Sequence, residues 1–316
     1  MIRIATRWLL SSVALLFAVT ALTFVLASLA PGSAVRAVLG TETSVTPQQY
    51  AQMERQLGLN QPLPVQYWHW LSNLLHGSLG NDLFSGQPIT AALGTRIGAS
   101  LSLIIATVVL SGIVGVAFGT VSAVRGGVTG RILDTLAISG FALPSFWLAL
   151  ILIEVLAVEV RLFPTTGYVA LSSDPGQWLR SIVLPVLTLS AGTTAAIARQ
   201  TRDSMLQVFG RDFITALRSR GLPLRVIIWK HALRNAAIPV VTTLGVVFIG
   251  LLGGTVLVEQ VFAIPGLGEA AVTATTTHDL PMIEGIAFYF AVLVVIVNLL
   301  VDISYAALNP KVRVAP

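Results

Sequence analysis

The chain has 316 residues, of which 55% are hydrophobic and only 10% are charged, and it carries a net charge of +5 without a cysteine. The missing cysteine excludes disulfides and thiolate sites, and the apolar composition argues against an ordinary soluble domain, whose helices need polar faces. Positive charge can indicate nucleic-acid binding, but here it is concentrated in one part of a very apolar chain, so we expect no nucleic-acid partner.

Six apolar runs without a charged residue dominate the chain. A bilayer core needs roughly 17–25 apolar helical residues, and each run is long enough to cross it. We therefore predict an all-α membrane protein with six transmembrane helices. The spans built on these runs are 8–30, 97–124, 135–158, 181–204, 235–259 and 284–306. A seventh uncharged run, 56–81, contains Pro62, Pro64 and two histidines, and we do not expect it to span.

The basic residues predict the orientation of the chain. Eight of the nineteen Lys and Arg residues fall between Arg199 and Arg234. A cytoplasmic N-terminus places fourteen basic residues inside and five outside, as the positive-inside rule requires, and the opposite orientation reverses this bias. Residues 1–7 and 309–316 are therefore predicted to be cytoplasmic. The alternative that "SLA" before Pro31 marks signal-peptide cleavage is disfavoured, because the apolar segment is long.

The segment 31–95 is predicted to be extracytoplasmic and helical. Thr46 and Gln49 have the spacing of a capping box, Pro47 occupies the first helical position, and Gly58 is the expected stop.

A second helix of this segment is predicted from helical spacing of apolar residues. Val65, Trp68, Leu71 and Leu75 would form its apolar face, and Gly77 would end it. Its aromatic residues favour either a position at the membrane surface or packing against the ends of the spans.

Small residues recur at four-residue spacing in the second predicted span. Ser111, Gly115 and Gly119 would let another helix approach closely.

No catalytic or nucleotide-binding motif is present in the sequence. Neither lysine, Lys230 or Lys311, follows a glycine, so there is no Walker A motif, and HExxH and GxSxG are also absent. We therefore predict a chain that is not an enzyme and binds no cofactor itself.

The basic stretch 205–234 contains a short helix pattern. Asp212 is the expected N-cap, 213–220 is compatible with a helix, and Gly221 and Pro223 would end it. About eight residues, roughly 12 Å, cannot form a stable helix alone, so this helix must dock on something. Phe213, Ala216 and Leu217 would form its apolar face. The alternative is that the arginines only fix the orientation of the chain in the membrane and attract anionic lipid headgroups.

This stretch also carries a family resemblance. "DFITALRSRGL" followed by "HALRNAAIPVV" resembles the EAA loop of bacterial binding-protein-dependent ABC importer permeases of the dipeptide/oligopeptide type. "LGLNQPLPVQYWHWL", "GGTVLVEQVFAIPGLG" and "NLLVDISYAALNPKVR" are similar to further segments of that family. The resemblance implies a type I permease fold whose core is 96–308, with a coupling helix that contacts an ATPase. The implied contact residues are Asp212, Phe213, Thr215, Ala216, Leu217, Arg218, Arg220 and Gly221.

The resemblance also implies a function and a set of partners. The chain would be one half of the translocation pathway of an ATP-driven importer in the bacterial inner membrane. Its partners would be membrane lipids, a second homologous permease, one or two ATPases that bind the ATP, and an extracytoplasmic binding protein. Di- or oligopeptides are the expected solutes, with nickel chelates, glutathione and sugars as alternatives. A stand-alone ion-coupled carrier or channel, or a receptor or scaffold, remains a competing class.

Two acidic residues are candidates for the solute path. Glu154 and Glu259 lie in or near predicted spans, where an acid indicates function unless it reaches an interface or pairs with arginine. If Glu154 pairs with an arginine, Arg161 is the expected partner.

Overall fold

The computed structural model describes residues 2–29, 34–39 and 46–308. Within these ranges the regular elements are all helical, apart from one isolated antiparallel bridge between Asn81 and Pro88. The predicted tail, 309–316, and parts of the predicted extracytoplasmic segment, 31–33 and 40–45, lie outside the described residues.

Sixteen helical elements are found among the described residues. Two of them, π1 and π2, are single π-helical segments inside longer helical stretches. In chain order they are α1 (Ile2–Leu29), α2 (Ala34–Leu39), α3 (Pro47–Gln56), α4 (Leu63–Leu75), α5 (Ile89–Arg125), α6 (Gly127–Ala142), α7 (Ser145–Leu152), π1 (Ile153–Glu159), α8 (Pro175–Phe209), α9 (Asp212–Ser219), α10 (Leu224–Val226), π2 (Ile227–Ala232), α11 (Leu233–Gly254), α12 (Val256–Val261), α13 (Leu267–Thr277) and α14 (Leu280–Leu308).

Five helical stretches among the described residues are long and apolar enough to cross a membrane. They are Trp8–Leu29, Ile89–Arg125, Pro175–Phe209, Leu224–Gly254 and Leu280–Leu308. Each stretch overlaps a predicted span. Most of the stretches extend beyond the predicted ends, because those ends were placed near the limits of the apolar runs and the helices continue past them.

The third predicted span, 135–158, is not one continuous helix. It is divided among α6, α7 and π1, with a break at Leu143, whose backbone is extended (φ −87°, ψ 124°). Pro144 explains the break, because proline disfavours helical backbone in the residue before it and cannot donate a helical hydrogen bond.

The described residues divide into two compact units. Unit 1 contains the described residues of the ranges 1–99 and 265–295, and unit 2 contains those of 100–264 and 296–316.

The capping box of α3 in unit 1 is confirmed. Thr46 is the N-cap, its hydroxyl accepts a hydrogen bond from the backbone N–H of Gln49 at 3.3 Å, and its own N–H donates to Gln49 Oε1 at 2.9 Å. Gly58 follows the helix with φ +69°. The local sequence therefore fixes the entry and exit of this helix.

The predicted apolar face of α4 is largely exposed, and a different aromatic residue of this helix, Trp70, is buried in unit 1. Trp68 is 64% exposed and Trp70 only 8%. Tyr67 hydrogen-bonds Thr20 of α1 at 2.9 Å between hydroxyl oxygens, and its ring packs edge-on against Phe24. Because α4 has aromatic residues on two sides, its spacing allowed two apolar faces, and packing against α1 decides between them.

Asp279 joins the loop before α5 to the start of α14 in unit 1. Its two carboxylate oxygens accept hydrogen bonds of 3.0 Å from the backbone N–H groups of Leu83 and Met282. Burial raises the pKa of this carboxyl above its ordinary value in spite of these bonds, and the charge of nearby Asp82 adds to the rise. Asp279 therefore links the loop before α5 to α14. The folded protein disfavours the ionised form of its carboxyl group.

Asp279→Asn is expected to remove a pH dependence of stability. A raised pKa means that the folded protein holds the proton more tightly than the unfolded chain, so stability falls as the pH rises above about 4. Asparagine remains a good cap and does not ionise. The melting temperature of the variant relative to the original protein should therefore be higher at about pH 7 than at about pH 3, which lies below the ordinary carboxyl pKa. An identical difference at both pH values would contradict this reading.

Unit 2 is built around α8, which packs against α6, α7 and α11. Asp174 caps its N-terminus through hydrogen bonds from the N–H groups of Gly176 and Gln177, at 2.9 and 3.0 Å.

The predicted close approach to α5 is confirmed, and α8 is the approaching helix. Ser111 and Thr193 hydroxyls are 2.6 Å apart. A Cβ atom on Gly119 would lie 2.3 Å from the carbonyl oxygen of Ala198. Glycine is required there because no side chain fits between the two backbones.

Candidate functional site

The basic loop between α8 and α11 contains the predicted short helix. This helix, α9, covers Asp212–Ser219, so its existence is confirmed. The predicted N-cap was wrong by one residue, because Arg211 is the N-cap, with extended backbone (φ −85°, ψ 144°), and Asp212 is already helical. Asp212 makes no side-chain capping bond, and its charge lies in the first turn, where it complements the helix dipole.

The C-terminus of α9 is closed by a Schellman motif. The N–H of Gly221 donates to Arg218 O at 2.9 Å, and the N–H of Leu222 donates to Leu217 O at 3.3 Å. Gly221 has φ +75°, a conformation that favours glycine. The predicted glycine stop is therefore confirmed, and α9 ends at a defined residue.

One apolar cluster anchors α9 to the rest of unit 2. Ile214 is 1% exposed and packs among residues of α8, π2 and α11, and Leu217 and Leu222 lie against the same cluster. We call it the anchoring cluster; its buried members are Met205, Val208, Ile214, Ile227, Ile228, Ala232 and Ala236. The short helix is thus held by packing rather than by its own stability.

The predicted apolar face of α9 is divided between two sides of the helix. Leu217 contacts the anchoring cluster, while Phe213 and Ala216 are exposed. Sequence reasoning missed Ile214. The Schellman motif marks Leu217 as inward through its contact with the residue after the glycine, but Phe213 and Ile214 both lie one turn before Leu217, so the local sequence does not choose between them.

The remaining predicted contact residues of α9 lie on its exposed side. They are Asp212, Thr215, Arg218 and Arg220. Together with Phe213 and Ala216 they form what we call the outer face, which presents two apolar side chains among charges of both signs. A face of this composition is suited to a protein partner, because its apolar residues can be buried while its charges remain at the rim.

The chain resumes its path toward α11 through π2. The N–H of Leu233 donates to Ile228 O, five residues earlier, which is the π-helical pattern. Ile227 and Ile228, both in this segment, belong to the anchoring cluster. Such insertions are frequent at functional sites, and this one aligns the side chains on which α9 rests.

Ile214→Ala and Phe213→Ala are expected to have separable effects. Ile214→Ala should weaken the anchoring of α9 by about 2–5 kcal/mol, because it leaves a cavity in the cluster. Phe213→Ala removes an exposed ring and should leave the anchoring unchanged. Hydrogen exchange of the α9 amides measures the difference. Equal protection in both variants would contradict the assignment of the inward face.

The structure places Glu154 at the start of π1 with its side chain exposed. The expected pairing with Arg161 is not found, since no ion pair joins these two residues in the described part of the chain. A role of Glu154 in the solute path therefore stays a prediction.

Glu259 lies in α12 and is fully buried. The hydroxyl of Ser100 donates a hydrogen bond of 2.7 Å to its Oε1. The structure therefore brings Glu259 to a polar contact between α5 and α12 that the sequence did not reveal, because its partner is 159 residues away. A role in the solute path stays a prediction for Glu259 as well.

No metal centre is apparent in the described ranges, where no group of three or more His, Asp or Glu side chains is arranged to hold an ion.

Two family models match the chain. One, described as binding-protein-dependent transport system inner membrane component, matches residues 115–314, and its N-terminal companion model matches residues 1–105. The "probable peptide ABC transporter permease protein" of Sinorhizobium fredii is 37% identical over 97% of this chain and 98% of its own length. The glutathione transport system permease of Pectobacterium atrosepticum is 39% identical over 96% of this chain and 97% of its own length.

The fold is also similar to a solved structure. A chain of the MetNI methionine ABC transporter, in an inward-facing conformation, matches with a TM-score of 0.55 and 18% identity. The match covers 71% of this chain and 99% of that one. The predicted resemblance to peptide-type ABC importer permeases is thereby confirmed, and the apolar helices are those of a multi-pass protein of the bacterial inner membrane. The chain belongs to the family of binding-protein-dependent transport system inner membrane components.

Proposed function

We propose that this chain is a permease subunit of an ATP-driven peptide importer and that α9 couples it to a separate ATPase. The observation that carries the proposal is the geometry of α9, a short helix closed at its C-terminus, anchored on one side and open on the other. A basic loop that only set topology or attracted lipid headgroups would need no such helix.

The proposed coupling follows from how α9 is held. A force on Phe213 or Ala216 would move α9 as a unit, because Ile214 and Leu217 fix it to the anchoring cluster. That cluster contains residues of α8 and α11, both part of apolar stretches long enough to span the membrane. Approach of two ATPase subunits on the cytoplasmic side would thus change the relative positions of the spans and alternate the access of the pathway.

The proposed topology keeps six crossings with both termini in the cytoplasm. In this arrangement α6, α7 and π1 together form the third, interrupted crossing. A helix interrupted by proline is tolerated in a membrane where neighbouring helices satisfy the freed backbone groups, and α6 and α7 both pack on α8. The segment between α1 and α5 would then be extracytoplasmic.

The proposed solutes are di- and oligopeptides. Names of the relatives support this class: one is called a peptide permease and the other a glutathione permease, and glutathione is itself a tripeptide. The remaining subunits would be a second permease, one or two ATPases and an extracytoplasmic binding protein. ATP would be bound and hydrolysed by the ATPases, and this chain would contribute no catalytic residue.

Reconstitution of the complete transporter tests the proposed function. Proteoliposomes containing both permeases and the ATPases, supplied with the binding protein, should accumulate a labelled di- or tripeptide only when ATP is present. A set of peptides and sugars of similar size, tested in parallel, distinguishes the solute classes. Uptake that follows a proton or sodium gradient without ATP would instead favour the ion-coupled carrier.

A further inference from the structure

A cavity of about 340 Å³ lies within unit 1, apart from α9 and from both candidate path residues. It is bounded by the end of α3, by α4 and by the first turns of α14. Its volume is in the range of small-molecule sites, roughly 300–1,000 Å³. Its polar lining includes Arg55, Gln66, His69 and Asn73.

A buried carboxyl group without a hydrogen-bond partner lines this cavity. Glu284, in the second turn of α14, is 1% exposed, and neither of its carboxyl oxygens has a partner in the described structure. Trp70, 8% exposed, lines the same cavity, and its indole Nε1 is also unpartnered. Buried polar groups are almost always satisfied, so two unsatisfied groups beside one cavity indicate that something else satisfies them.

The chemistry of these groups specifies the missing partner. An ionised carboxylate only accepts hydrogen bonds, so it requires donors and, when buried, a positive charge. Arg55 is the basic side chain of the lining, but it is exposed and makes no ion pair with Glu284 among the described residues. It therefore remains available to an anionic group, for which guanidinium is well suited.

We propose that this cavity binds the primary ammonium group of a small zwitterion. The ammonium lies against Glu284, which accepts its N–H donors, and the indole Nε1–H of Trp70 donates to an oxygen atom of the same molecule. The anionic group of the same molecule faces Arg55. Two sources share this chemistry: the phosphoethanolamine headgroup of a lipid, and a free peptide with its terminal ammonium and carboxylate.

Thermal unfolding of the full-length chain in nanodiscs, with any subunits that co-purify, tests the proposal. The baseline is phosphatidylcholine, whose quaternary ammonium has no N–H donor. One arm adds phosphatidylethanolamine to the bilayer, and the other adds alanyl-alanine to the buffer. We expect a rise in melting temperature of at least about 2 °C in one arm. The arm that responds identifies the source, and native mass spectrometry counts any retained phosphatidylethanolamine.

Two variants and one altered probe make the test specific. Glu284→Gln should abolish the rise, whereas Glu54→Gln, the same change in α3 at a residue outside the cavity lining, should retain it. N-acetyl-alanyl-alanine lacks the ammonium and should not stabilise the original protein, so the test holds even if Glu284→Gln does not fold. No rise in either arm, an equal rise with the acetylated probe, or a rise retained by Glu284→Gln would overturn the proposal.

Discussion

Gly119→Ala is expected to prevent α5 and α8 from packing at their present distance. The added methyl group would lie 2.3 Å from the Ala198 carbonyl oxygen and 2.7 Å from Thr201 Cβ. Two backbones must then separate, because a carbonyl in a helix cannot rotate away as a side chain can. Overpacking costs about 1–3 kcal/mol or more, and the rigid obstacle places this case at the upper end. A lower yield of folded protein and a lower melting temperature should result.

Gly94→Ala is the matched control in the same helix. A Cβ atom on Gly94 would meet nothing within 4 Å. Alanine favours helix over glycine by about 1 kcal/mol, so this variant should be neutral or slightly more stable. If Gly119→Ala melted at the same temperature as Gly94→Ala, the contact between α5 and α8 would be looser than the structure indicates.

Ala216→Glu is expected to reduce ATP-driven uptake at least about tenfold, the equivalent of 1.4 kcal/mol, while the protein still inserts and folds. Ala216 lies on the outer face of α9 and does not contribute to the anchoring cluster. A glutamate there costs the isolated chain little, but in a docked complex it would be buried without a partner. Uptake in proteoliposomes and co-purification of the ATPase measure the effect.

Gln207→Glu provides the control for added charge. Gln207 is exposed near the end of α8 and lies in the same loop region, but outside α9. It should retain uptake and ATPase binding. If Ala216→Glu also retained both, α9 would not be the docking helix, even though the chain belongs to the permease family.

The sequence predicted those features that depend on local chemistry. The capping box of Thr46, the glycine stop at Gly221 and the close approach at Gly119 each require particular residue types at fixed spacing, and all three are present. Five of the six predicted spans could be recognised because hydrophobicity over about 20 residues is itself the physical requirement for crossing a bilayer.

Features that depend on tertiary packing could not be predicted in the same way. The break at Pro144 has a local cause and was missed for another reason, because the span was predicted from hydropathy, which does not register a missing N–H. Ile214 and Phe213 are neighbours of similar hydrophobicity, and only the anchoring cluster decides which one turns inward. Whether Glu284 is buried without a hydrogen-bond partner depends on α3 and α4, which lie more than 200 residues earlier in the chain.

The π-helical segment π2 has a consequence for insertions and deletions in this part of the chain. One residue more than an α-helix needs is accommodated between α10 and α11, and each residue of a regular helix advances the rotation by about 100°. Deleting a single residue from Ile227–Ala232 would turn the π-helical segment into a regular α-helix, because the wide turn already absorbs the extra residue. Adding a residue there has no such outlet, and it would rotate the chain before it by about 100° relative to α11 and direct the outer face of α9 sideways. We therefore expect this segment to tolerate the loss of one residue better than the gain of one.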